Sequence, residues 1–163
     1  MKLRREDAFR LLSETSSVES IVVGGQAIIF WADYFGIEIS AISMTSDIDY
    51  VATAATARRV APRISVDYDL FLSTMDNATV NNAQVKAHVP GYDEPVIIDF
   101  LSGVKGIQIG DVESNAVVVE LSDIEREGVE PKRLRMRILP PLLLPNAPKC
   151  SFQVAPKATF GGR

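Results

Sequence analysis

The chain holds one cysteine, Cys150, and one histidine, His88, in 163 residues. A lone cysteine excludes an internal disulfide and a cysteine-rich zinc site, and it suits a reducing compartment. Positive charge is also scarce: 17 basic against 21 acidic residues leave a net charge of −4, so no overall field attracts nucleic acid or an anionic membrane. No run of about 18 apolar residues is present to span a bilayer. Lys2, Arg4 and Arg5 near the start are followed by Glu6 and Asp7 rather than by an apolar stretch, which argues against a signal peptide. The expectation is a soluble, cytoplasmic protein without a membrane partner.

What is present is enough apolar residue, 47%, for a real core, in a length that suits one domain. Ala8, Leu11 and Leu12 at helical spacing predict a short amphipathic helix over 5–14. The β-branched run 21–23 predicts a strand stopped by Gly24-Gly25, with a helix resuming over 26–35. Alternation over 46–53 predicts a second strand, and 54–60 a short helix ended near Pro62. Residues 64–82 are ambiguous. Three further strands are expected over 85–89, 96–101 and 116–121, the first two joined by a turn at Pro90-Gly91. The fold class expected is α/β (α+β), a mixed β-sheet flanked by helices. The domain spans 1–139. Prolines at 140, 141, 145, 148 and 156 forbid a long helix beyond it, so 140–163 is expected to be a proline-rich tail, irregular or partly disordered.

The chemistry is concentrated in three places. Asp47 and Asp49 flank Ile48, and alternate residues of a strand share a face, so both carboxylates point into one volume. Like charges that close repel, and a cation resolves the conflict. Asp99 stands alone among apolar residues in Val96-Ile97-Ile98-Asp99-Phe100-Leu101, where a charge is costly unless it reaches a partner or a cleft. Three carboxylates on hard oxygen donors suit two Mg²⁺ ions, with Mn²⁺ as a substitute. Gly24 and Gly25 lack Cβ atoms and would let the backbone approach a phosphate, while the helix opening at Gln26 offers free N–H groups to it.

A glycine pair at the start of a helix, an Asp-x-Asp strand and a third Asp on a neighbouring strand resemble the DNA polymerase β-like nucleotidyltransferase superfamily. Val22-Val23-Gly24-Gly25-Gln26-Ala27, Thr45-Ser46-Asp47-Ile48-Asp49-Tyr50 and Val96-Ile97-Ile98-Asp99-Phe100 are the segments that carry the resemblance, over about residues 19–101. Within the superfamily the chain is most similar to small prokaryotic nucleotidyltransferases of toxin–antitoxin and abortive-infection (AbiEii-like) systems. The resemblance implies a nucleotidyltransferase-like fold and transfer of a nucleoside monophosphate from an NTP to a hydroxyl of a protein or RNA acceptor. It implies metal ligation and catalysis by Asp47, Asp49 and Asp99, nucleotide binding by Gly24, Gly25, Gln26 and Ser46, and a cognate partner protein. The C-terminal helices such proteins carry have no counterpart after Pro140, which keeps a second expectation open: a catalytically silent module that binds a nucleotide or a partner.

Other polar residues are assigned no role. His88 is expected at the surface or hydrogen-bonded. Asp67, Asp69 and Asp76 are expected to be solvated, Lys132, Arg133, Arg135 and Arg137 to alternate along a charged edge strand, and Trp31 with Phe35 to lie in helix core.

Overall fold

A computed structural model describes residues 3–37, 46–73, 80–122 and 133–141. It is an α+β fold: four helices and one seven-stranded mixed sheet. Helix α1 (Arg5–Thr15) carries Glu6 and Asp7 in its first turn, where the helix dipole favours negative charge, and buries Leu11 and Leu12. Strand β1 (Ile21–Val23) runs into α2 (Gly24–Tyr34) with no intervening loop. Strand β2 (Ile48–Val51) leads to α3 (Ala54–Val60), whose N-cap Thr53 accepts a hydrogen bond from the Thr56 backbone N–H at 3.1 Å. Pro62 then falls in a short 3-10 turn, Ala61–Arg63, and Arg63 donates to the Glu14 carbonyl at the end of α1 at 2.7 Å. Strands β3 (Tyr68–Leu72), β4 (Asn81–Ala87) and β5 (Val96–Leu101) follow, then α4 (Ile109–Asn115) and the pair β6 (Val117–Ser122) and β7 (Arg133–Ile138).

The strand order is β3-β4-β5-β2-β1-β7-β6. β5 and β2 pair in parallel and β2 and β1 antiparallel, so the centre of the sheet joins segments distant in sequence. One face of that centre is the core: Ile48, Tyr50, Ile98, Phe100 and Val85 are fully buried. Tyr50 stacks on Phe100 with ring centroids 5.5 Å apart, and its hydroxyl meets the Thr15 hydroxyl at 2.8 Å, which seats the end of α1 over this face. Removing a large ring from such a core costs about 3–5 kcal/mol. The alternate residues of β5, Ile97, Asp99 and Leu101, are only half-buried on the opposite face.

Several elements depart from the sequence expectation. The glycine pair is the first turn of α2 rather than a loop before it, because the extended N-cap Val23 turns straight into the helix. β4 begins at Asn81 and ends before His88, since its pairing with β3 and β5, not its apolar content, sets its limits. The ambiguous stretch 64–82 contains β3 and the start of β4. Helix α4 was not anticipated: it is seven residues long and buries only Val112. The basic alternation of β7 is not an edge. β7 lies between β1 and β6, with Leu134, Met136 and Ile138 buried between the arginines. Trp31 is in the core as expected, donating its indole N–H to the Leu139 carbonyl at 2.9 Å. Among the described residues, no helix is long and apolar enough to cross a membrane. Cys150, Asp76 and Lys132 lie outside the described residues, as does the expected tail beyond Pro141.

Candidate active site

The half-buried face of the central strands gathers the carboxylates. Asp49 of β2 is the register partner of Asp99 of β5, and parallel pairing puts both side chains on one face. Asp47, two residues before Asp49, is close enough for its charge to act on Asp49. The Asp49 carboxyl is raised to about 6, first by burial and then by the charges of Asp99 and Asp47.

The two paired carboxylates differ in their partners. Asp99 accepts two amide hydrogen bonds on the same oxygen, Oδ1, from Gln84 Nε2 at 2.9 Å and from Asn81 Nδ2 at 3.3 Å. Among the described residues no hydrogen-bond donor reaches the Asp49 carboxylate. It lies against the first residue of α2: a Cβ built on Gly24 would fall 2.1 Å from Asp49 Oδ2. Gly24 also adopts φ 64, the left-handed region that side chains disfavour. Glycine is required there twice over, by backbone conformation and by space.

Helix α2 has no side-chain cap, since its N-cap is Val23. The N–H groups of its first turn, from Gly24, Gly25 and Gln26, have no acceptor within the helix, and the first of these residues lies against Asp49. Of the residues expected to bind nucleotide, Gly24 and Gly25 stand at this opening. Gln26 is buried, at 7% exposure, so its side chain is not open to solvent at this opening. Ser46 gives its hydroxyl to Asp47 Oδ1 at 3.0 Å.

The residues set aside on sequence grounds bond away from these carboxylates. His88 is exposed and meets Asp69 Oδ2 at 3.0 Å. Arg137 donates to the Glu113 carbonyl at 2.9 Å. Gln84 and Asn81 were missed. The alternation Ala83, Val85, Ala87 against Gln84 and Lys86 does predict which residues share a face, but not that β5 lies alongside.

No family profile, curated protein or solved structure matches the chain. The chemistry of the site therefore rests on its own residues. Its donors are carboxylate oxygens, hard ligands of the kind Mg²⁺ prefers. Among the described residues no three acidic, imidazole or thiol groups are gathered as a ready ligand cage. Asp49 and Asp99 alone still fit the usual Mg²⁺ arrangement, in which one or two carboxylates and the phosphates of a substrate complete the shell.

Proposed function

We propose that the protein is a Mg²⁺-dependent nucleotidyltransferase that moves a nucleoside monophosphate from an NTP to a hydroxyl of a protein or RNA acceptor. The observation that supports this most is Asp49: a half-buried carboxylate that no donor reaches among the described residues, within reach of the charges of two other carboxylates and set against the first residue of α2. Such a group is costly unless a cation joins it. Asp49 and Asp99, with Asp47 adding charge, would hold the divalent ion, Mg²⁺ or Mn²⁺. Bound there, the ion supplies charge neutralisation at the phosphates and lowers the pKa of the attacking hydroxyl. The N–H groups of Gly24, Gly25 and Gln26 would receive the triphosphate. The acceptor oxygen would bond to the α-phosphorus as the bond from that phosphorus to the β-phosphate oxygen breaks, pyrophosphate would leave, and the Asp99 carboxylate would take up the hydroxyl proton. Function in the cytoplasm, in a toxin–antitoxin or phage-defence system with a cognate partner protein, belongs to the same proposal.

A second reading is a silent module that binds a nucleotide or partner without turnover, favoured by the lack of a three-ligand cage among the described residues. Incubation with α-labelled NTPs and Mg²⁺ in cell extract separates the two. Transfer of label by the wild type, lost in Asp49→Asn, is expected of the enzyme. A rise in melting temperature with Mg²⁺ and NTP but no labelled product is expected of the module.

A further inference from the structure

Strand β4 meets β5 through an irregular register: Asn81 pairs with Leu101, Ala83 with Phe100, and Gln84 with Asp99. Residue 82 is thus one residue too many, a β-bulge. Without it, Asn81 and Gln84, three apart, would point to opposite faces of a period-two strand. The extra residue shifts the parity, and both amides arrive on the face of Asp99. The inserted residue is itself tied down, for Asn82 Nδ2 donates to the Ala52 carbonyl just past β2 at 2.8 Å. The bulge therefore bridges the ends of β4 and β2 around the carboxylate between them.

We propose that Gln84, assisted by Asn81 through this bulge, is a positioning residue that holds one oxygen of Asp99 so that the other is presented to a divalent cation. This rests on the metal site proposed above. Both amides donate to Oδ1, at 2.9 and 3.3 Å, and among the described residues no donor reaches Oδ2. Two donors on one oxygen restrict rotation of the carboxylate, the property a ligand needs before the ion arrives. Asp49 has no such support, so an ordered Asp99 is the anchor of the pair.

The test is Mn²⁺ binding to the full chain, followed by the electron paramagnetic resonance signal of free Mn²⁺, with nucleotide absent and present. Gln84→Met keeps length and loses the donor. It is expected to weaken Mn²⁺ binding by roughly 10- to 100-fold, the usual effect of removing a hydrogen bond to a metal ligand, and Asn81→Ala by less, in keeping with its longer bond. In an Asp99→Asn background, Gln84→Met should add nothing, because its effect passes through the carboxylate. That coupling separates positioning from a general loosening of the sheet, which would weaken binding equally in both backgrounds. Asn81→Ala, at the strand end, carries the test should Gln84→Met fail to fold. Wild-type affinity in both single variants, or full additivity with Asp99→Asn, would overturn the role of Gln84 and leave the metal site standing. Absence of Mn²⁺ binding by the wild type would overturn both.

Discussion

The two faces of the central strands obey opposite rules. On one, Ile48, Tyr50, Ile98 and Phe100 are fully buried, and even the Tyr50 hydroxyl is satisfied by Thr15 and Ser16. On the other, one residue along in each strand, Asp49 and Asp99 stand side by side, and among the described residues no donor reaches Asp49. A fold optimised only for stability would not set two carboxylates in register there. The proposed site draws on the half-open face and the stability of the fold on the closed one, within the same two strands.

The comparison is broken most severely from the closed face. Phe100→Ala removes a ring stacked on Tyr50 and is expected to cost about 3–5 kcal/mol, read as a lowered denaturant midpoint. Ligand binding by the fraction that remains folded should be unchanged.

Gly24→Ala acts on both sides of the contrast. The left-handed φ of 64 penalises any side chain, and the new Cβ meets Asp49 Oδ2 at 2.1 Å. We expect a loss of about 2 kcal/mol, from backbone strain and displacement of Asp49, together with loss of the Mg²⁺-NTP melting shift. Full retention of that shift in Gly24→Ala would remove the helix opening from the site.

The smallest effect has the opposite sign. Because the native Asp49 carboxyl is raised to about 6, the folded state holds a proton that the unfolded state releases near the ordinary aspartate value of 3.8. Stability contributed by this group is full below that lower value and is lost as pH rises through about 6. Asp49→Asn is expected to match the wild type near pH 4 and to exceed it at pH 7 by on the order of 1 kcal/mol, after discounting for partial exposure. Urea midpoints from pH 4 to 8 check this, and saturating Mg²⁺ should narrow the gap by stabilising only the wild type. A destabilised Asp49→Asn at pH 7 would mean that the carboxylate is satisfied in the apo protein.

Much of this was legible in advance. Short-range patterns marked α1, β1, β2, α3, β5 and β6 within a few residues, because apolar period and proline placement act locally. Gly24, Asp47, Asp49 and Asp99 were legible by type: a glycine pair before a helix and charges in apolar strands violate the local rules of the elements that hold them. Helix α4 and β3 were not, since one is too short to show a period and the other carries the exposed Phe71 between the half-buried Leu70 and Leu72, which hides its alternation in the sequence. The basic strand β7 was misplaced at an edge because its arginines are conspicuous, while its buried alternate residues became meaningful only with β1 and β6 on either side.

By itself, then, the sequence determined which residues are chemically unusual and which face of its own strand each occupies, since that follows from the two-residue period of the backbone. Tertiary structure alone decided what stands opposite. The parallel pairing of β2 with β5 set Asp49 beside Asp99, the bulge at residue 82 turned Asn81 and Gln84 onto the same carboxylate, and the direct passage of β1 into α2 placed Gly24 against Asp49. Those contacts join residues from 15 to 50 apart in the chain. Strand order and register arise from packing the whole sheet, to which no local window has access.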